Sequence, residues 1–150
     1  MYAQNGVEQA CLALQQAGAD VNPLLFCCWQ GSEGRILNQR SLRRSVKAVT
    51  VWQGQVVQPL RHARRIIKQG LPGMTPEWSG SLRKRLARVE LDAEYLEQLV
   101  LVRYAAPGPP ATDDPEAIVA GNLTRYLELR GIPLVASITR HAKVLSGACG

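Results

Sequence analysis

The fold is decided by the segment Asn22-Pro23-Leu24-Leu25-Phe26-Cys27-Cys28-Trp29, which is apolar on nearly every side of a helix. Asn22 is a favourable N-cap, and Pro23 suits the first helical position, where its missing N–H costs nothing. Gly31 is expected to end this helix. A helix without a polar face has to be covered on all sides. We therefore expect a short apolar central helix from Pro23 to Trp29, wrapped by longer amphipathic helices.

Helical periodicity appears on both sides of this segment. Apolar residues recur at steps of three and four, beginning with Val7, Ala10, Cys11 and Leu14. The same pattern predicts helices over residues 7–17, 38–50, 56–70, 81–104, 114–130 and 134–145. The sequence shows neither period-two alternation nor an internal repeat. We predict one all-α domain over residues 1–150, a bundle of six to seven helices around the apolar central helix.

Residues that interrupt helices define the ends of these predicted helices more closely. Thr50 and Gly54 indicate a break, and Pro59 requires the next helix either to begin late or to be kinked. Three prolines make residues 105–112 a proline-rich loop.

Two stripes of apolar residues are predicted to face the core. In the helix over residues 56–70 the stripe consists of Val56, Leu60, Ala63 and Ile67. In the helix over residues 81–104 it consists of Leu82, Leu86, Val89, Ala93, Leu96, Val100 and Tyr104. The three tryptophans, Trp29, Trp52 and Trp78, are also expected to pack.

Composition places the chain among soluble globular proteins, with 46% hydrophobic residues. No apolar run approaches the ~18 residues of a membrane span, and the first residues do not have the pattern of a signal peptide. The four cysteines lack the spacing of a metal site, and two of them lie in the apolar central segment. We expect buried thiols, a cytoplasmic location, and no metal or cofactor.

Charge is distributed very unevenly along the chain. Residues 34–76 contain nine Lys or Arg and no acid. Residues 34–88 have a net charge of +12, whereas residues 89–128 have a net charge of −6. The acidic helices can neutralise half of this excess if they pack beside the basic ones. The remainder has to face solvent or an anionic partner.

The basic residues form three clusters at helical spacing, and these clusters are the candidate partner-binding face. The clusters are Arg40, Arg43, Arg44 and Lys47; Arg61, Arg64, Arg65 and Lys68; and Arg83, Lys84, Arg85 and Arg88. Such a face can be solvated or paired internally, or it can bind a protein or a nucleic acid. The modest apolar stripe beside the second cluster makes membrane binding a weaker alternative.

The sequence gives little support for a catalytic function. His62 lies among arginines and His141 in the weak last helix, and neither belongs to a recognisable motif. Glu90, Glu94 and Glu97 are spaced to share one helix face, which we interpret as solvated or as paired with the basic helices. We therefore predict that the protein is not an enzyme.

Several segments resemble an uncharacterised family of small bacterial proteins. They are residues 6–12, Gly18-Ala19-Asp20-Val21-Asn22, residues 24–29, Trp52 with residues 56–61, and Tyr126-Leu127. The resemblance implies an all-helical fold and no known activity. Members of the family usually have a short aromatic stretch before the equivalent of Tyr2-Ala3-Gln4. Its absence suggests that Met1 is a late start and that a short N-terminal helix is missing.

Three functional hypotheses remain open at this point, and so does the oligomeric state. Binding of a protein partner through the basic face is the first, and it predicts exposed apolar residues beside the cations. Sequence-nonspecific binding of nucleic acid is the second, and it predicts all three clusters on one surface. A small-molecule binder or enzyme with a site in the helical core is the third, and it predicts a buried polar group facing a cavity.

Overall fold

The computed structural model describes residues 6–105, 108–111 and 114–149, and every regular element in these ranges is helical. The elements are α1 (Val7–Gln16), α2 (Val21–Ser32), α3 (Gln39–Trp52), a π turn (Gln53–Val57), α4 (Gln58–Gln69), α5 (Pro76–Ala105), α6 (Pro115–Leu129) and α7 (Ala136–Cys149). Since α3, the π turn and α4 are continuous, the described residues form six helices. The all-α prediction is confirmed. No described helix combines the length and apolarity that a bilayer crossing requires.

The apolar central helix is α2. It contacts α1, α5, α6 and α7, and the side chains of Leu24, Phe26, Cys27 and Cys28 are completely buried. Helix α2 is longer than predicted, because it begins two residues before Pro23 and continues past Trp29 to Ser32.

Asn22 is not the N-cap of α2, as the sequence suggested. Asp20 is, since its side chain accepts a hydrogen bond from the backbone N–H of Asn22 at 3.2 Å. Pro23 is therefore the third helical residue, where its missing N–H is still without cost. The side chain of Asn22 is buried instead and donates to Oε2 of Glu97 at 2.7 Å.

Gly31 lies inside α2 and does not end the helix. A Cβ atom on Gly31 would be 2.5 Å from Cγ2 and 2.6 Å from Cα of Val119. Glycine is required here because α2 and α6 approach each other too closely for any side chain. The same residue type that often ends a helix thus marks a helix–helix contact.

Where a break between two basic helices was predicted, the structure has the π turn, and the helix continues through it. The Asn38 side chain caps α3 by accepting from the N–H of Ser41 at 2.8 Å, and the helix then runs to Gln69 without interruption. Pro59 cannot donate a hydrogen bond to the preceding turn, and it is the second residue after the wide π turn. The stripe predicted for α4 is only half-buried, and no residue of α4 is fully buried.

The continuous α3–α4 helix runs antiparallel to α5 and forms a long hairpin with it. Arg44 donates to the carbonyl of Tyr104, Trp52 to the carbonyl of Ala93, and Arg61 to the side chain of Glu90. The 30 residues of α5 span about 45 Å at ~1.5 Å per residue. No residue from 58 to 89 is fully buried. We call α4, the turn and α5 up to Val89 the distal hairpin, which projects beyond the core.

The apolar stripe predicted for α5 is wrong. Of its seven residues only Ala93 is buried. The face toward the protein consists of Glu90, Ala93, Glu97, Leu101 and Ala105, which is rotated by about 75° from the predicted stripe. The physical reason is the polarity of the neighbouring helices, which offer arginines and an amide to the two glutamates.

Elsewhere the helix ends follow local signals. The helix predicted over residues 114–130 is α6, which Asp114 caps and Pro115 begins. Helix α5 begins five residues earlier than predicted, and α7 continues to Cys149. In the proline-rich loop, residues 108–111 are non-helical, and the N–H of Ala111 donates to the Gly34 carbonyl at 2.7 Å. Ala105, the predicted start of the loop, is instead the last residue of α5. Residues 106, 107 and 112, and the expectations for Met1, lie outside the described residues.

Gly31→Ala tests the close contact between α2 and α6. The added methyl group has no space against Val119, so we expect a loss of about 2 kcal/mol or more in the free energy of unfolding. Urea unfolding followed by circular dichroism measures it. Gly80→Ala in α5 is the matched control, because its Cβ meets nothing within 4 Å and should stabilise the helix slightly. Equal stability of the two variants would contradict the close approach.

Candidate functional site: the basic distal hairpin

Eight of the twelve predicted site residues lie on the distal hairpin. They are Arg61, Arg64, Arg65 and Lys68 on α4 and Arg83, Lys84, Arg85 and Arg88 on α5. The only acid between residues 58 and 89 is Glu77. The antiparallel pairing of the two helices brings the second and third clusters together at the same end of the molecule.

Arg61 and Arg64 point inward and hold the hairpin together. Nε of Arg61 is 3.0 Å from Oε1 of Glu90, and its Nη2 pairs with Glu94. Nε of Arg64 pairs with the second oxygen of Glu90. The side chain of Arg61 is only 14% exposed. These two cations are therefore neutralised internally by the acidic region, which was one of the alternatives left open by the sequence.

Glu90 is the acceptor shared by both arginines. Burial by itself would raise the pKa of this carboxyl group, but the hydrogen bonds and charges of Arg64 and Arg61 outweigh that effect and lower it. Glu90 therefore stays ionised in the folded protein.

The six remaining cations of the distal hairpin are all exposed. They are Arg65, Lys68, Arg83, Lys84, Arg85 and Arg88. Within the described part of the chain, none of them forms an ion pair. This end of the molecule thus has a strong positive potential that no internal acid cancels.

Exposed apolar side chains accompany these cations. Leu71 and Met74 lie in the turn and are 45% and 48% exposed, while Leu82 is 49% exposed on α5. Trp78, which was expected to pack, is 70% exposed. Of the other tryptophans, Trp52 packs against α5 and donates to a backbone carbonyl, whereas Trp29 is 42% exposed.

The first basic cluster lies elsewhere. Arg40, Arg43 and Lys47 are exposed on α3, and Arg44 donates to the Tyr104 carbonyl at the C-terminal end of α5. Since the third cluster precedes Tyr104 by 16–21 residues, it is about 24–32 Å away along α5. The clusters are thus separated at opposite ends of the long hairpin.

A second polar group, buried in the core, was not found from the sequence. Glu97 is completely buried, and its Oε1 has no hydrogen-bond donor from the protein. Burial, followed by the charge of the nearby Asp20, raises the pKa of Glu97 to about 7. Burial also raises the pKa of Asp20. Glu97 is therefore protonated below neutral pH.

Of these two carboxyl groups only that of Asp20 lines a cavity. The neighbouring cavities, of about 250 and 570 Å³, are lined by Asp20 and by Asn22 respectively, but not by Glu97.

His62 is exposed on the distal hairpin and His141 is half-buried on α7. Among the described residues no group of three or more His, Cys, Asp or Glu side chains could hold a metal ion. The sequence did contain one indication that Glu97 faces inward. It lies seven residues after Glu90, and this spacing places both glutamates on the same face of α5.

The fold and the site define an all-α protein with a projecting basic helical hairpin. The chain belongs to the family described as Protein of unknown function (DUF2390), whose sequence profile covers residues 1–101. The match contains the whole distal hairpin and ends before Tyr126, one of the residues on which the family resemblance was based. No curated protein and no solved structure shows significant similarity to the chain.

Glu90→Ala tests whether the inward ion pairs stabilise the hairpin. The change leaves Arg61 poorly exposed and without its main acceptor, so we expect a loss of about 2 kcal/mol in the free energy of unfolding. Chemical unfolding at neutral pH measures it. Glu128→Ala removes an exposed acid on α6 and should change the stability by less than about 0.5 kcal/mol. If Glu90→Ala leaves the free energy of unfolding unchanged, the position of α4 does not depend on these ion pairs.

Glu97→Gln tests the buried proton. Because folding raises the pKa of Glu97 from its ordinary value of 4.5 to about 7, its contribution to stability is complete below pH 4.5 and falls as the pH rises to about 7. Glutamine reproduces the protonated form, so the stability of the variant relative to wild type should increase from about pH 4.5 to about pH 7 and stay constant above it. Unfolding free energies measured from pH 5 to 8 show the difference. A difference that stays constant with pH, as expected for the exposed control Glu128→Gln, would contradict the assignment.

Proposed function

We propose that this protein works by binding an acidic protein partner through the distal hairpin. The observation that supports this best is the combination of six exposed cations with exposed Leu71, Met74, Trp78 and Leu82 on one projecting element. Tryptophan and arginine are the residues that most often dominate the energy of protein interfaces. We further propose that the role is non-enzymatic.

The internal ion pairs support this function indirectly. Arg61 and Arg64 hold α4 against α5 without a hydrophobic core between the two helices. A hairpin held in this way keeps its exposed cations in fixed positions before a partner arrives, which reduces the entropy cost of binding. Long-range attraction by the unpaired cations would accelerate the encounter with an acidic surface.

A protein partner is favoured over nucleic acid for two reasons. The apolar side chains at the end of the hairpin have no use in contacts to phosphates, and the first basic cluster is about 24–32 Å from the third along α5. The partner that fits best is an acidic segment with apolar anchors, such as an amphipathic helix that lies against Trp78 and is flanked by its own carboxylates.

The same proposal includes a bacterial cytoplasmic location. All four cysteines are buried, where a thiol packs as a small hydrophobic group. Intracellular proteins characteristically keep cysteines in this form.

Charge reversal on the hairpin tests the proposed function. The triple variant Arg83→Glu, Lys84→Glu, Arg88→Glu removes three exposed cations that have no internal partner. The matched control Arg40→Glu, Arg43→Glu, Lys47→Glu reverses three exposed cations on α3. With each protein immobilised in a cell extract, we expect quantitative mass spectrometry to find a partner that binds wild type and the control and is depleted at least about tenfold by the hairpin variant.

Two results would contradict the proposal. One is a partner set that both triple variants retain or lose equally, since the charge of the hairpin would then be irrelevant. The other is tight binding of labelled duplex DNA or single-stranded RNA that weakens steeply between ~50 and ~200 mM salt, which would favour the nucleic-acid alternative. Circular dichroism confirms that each variant keeps its helical content.

A further inference from the structure

The second half of α5 exposes an apolar strip that no other part of the described chain covers. Leu96 and Leu99 are each 47% exposed, and Tyr95 is 63% exposed. Asp92 and Arg103 are exposed at the two ends of this strip. At ~100° per residue these five side chains point away from the buried face of Glu90 and Glu97.

Two grooves lie on either side of the strip. One has a volume of about 570 Å³ and is lined mainly by Leu25, Trp29, Leu91, Tyr95 and Leu99. The other has a volume of about 590 Å³ and is lined mainly by Ala48, Trp52, Leu96, Val100 and Tyr104. A ridge of side chains between two grooves is the shape that packs against a second helix. Exposed apolar areas of this extent mark interaction surfaces in soluble proteins.

The order of residues along the strip is self-complementary. Asp92, Leu96, Leu99 and Arg103 follow one another at steps of four, three and four, so the spacing is the same in both directions. Two such strips placed antiparallel bring Leu96 opposite Leu99 twice, and Asp92 opposite Arg103 twice. Placed parallel, they would bring like charges together at both ends. Neither Asp92 nor Arg103 forms an ion pair within the described part of the chain.

We propose that a second copy of this chain covers the strip, and that the protein is a homodimer with its two α5 helices packed antiparallel. The two-fold axis passes between residues 97 and 98. Two leucine–leucine contacts form the centre of the interface, two aspartate–arginine pairs flank it, and Tyr95 packs into the neighbouring groove. Such an interface is isologous, which is the commonest arrangement of homo-oligomers.

Analytical ultracentrifugation of the full chain from ~1 to ~100 µM tests the proposal. We expect a reversible dimer. Asp92→Arg places two arginine–arginine pairs in each dimer, and Arg103→Asp places two aspartate–aspartate pairs there. Each single variant should raise the dissociation constant at least about tenfold. The double variant Asp92→Arg, Arg103→Asp exchanges the charges and should restore the dissociation constant to within about threefold of wild type.

Further variants identify the surface through which the dimer forms. Leu99→Glu should give a monomer with unchanged helical content by circular dichroism, because Leu99 is half-exposed. The control Glu128→Arg changes an exposed residue on α6 and should leave the dimer intact. The hairpin triple variant Arg83→Glu, Lys84→Glu, Arg88→Glu should also dimerise normally, so that failure of the proposed partner binding and failure of the dimer are distinguishable.

Three outcomes would overturn the proposal. If the chain stays monomeric at ~100 µM, a second copy does not cover this strip. A dimer that forms equally well with Leu99→Glu uses another surface. A dimer weakened by both single charge reversals but not restored by the double variant does not have the antiparallel arrangement.

Discussion

The carboxylate of Glu90, held between the guanidinium groups of Arg61 and Arg64, is the interaction on which the outer half of this structure depends. Helix α4 has no fully buried residue, so hydrophobic packing does not by itself determine how it lies on α5. The ion pairs supply that register, and Glu94 adds a second acceptor for Arg61. Partly shielded charge pairs with several hydrogen bonds are strong enough for this role. A projecting hairpin with a nearly uniform positive charge can exist because Glu90 and Glu94, on the adjoining turns of α5, neutralise its two inward-facing arginines.

The orientation of α5 follows from two glutamates seven residues apart. Both Glu90 and Glu97 face inward, but their surroundings have opposite effects on them. Two arginines keep Glu90 ionised and lower its pKa, whereas burial beside Asp20 raises the pKa of Glu97 to about 7. The amide of Asn22 donates to Oε2 of Glu97, and Oε1 has no donor from the described part of the protein. With its polar stripe turned inward, α5 has to expose leucines that its sequence would otherwise bury.

The sequence was sufficient for what local chemistry determines and insufficient for what depends on distant residues. The apolar central helix and the helices predicted from residues 38 and 114 follow local patterns, and they were predicted correctly. The rotation of α5 was not, because it depends on arginines about 30 residues away and on Asn22, 75 residues away. Gly31 was misjudged for the same reason, since only the position of Val119 distinguishes a close helix contact from a helix end.

Charge separation along α5 also connects the two proposed surfaces. The hairpin from Arg61 to Arg88 has eight cations and one acid, so two hairpins side by side would repel each other strongly. An antiparallel dimer centred between residues 97 and 98 places the two third clusters about 35–40 Å apart, at ~1.5 Å per residue along each α5. That separation is several times the Debye length of about 8 Å at physiological salt, so the repulsion is screened. The basic hairpins therefore disfavour parallel packing of the two α5 helices, and in the antiparallel dimer they lie at opposite ends.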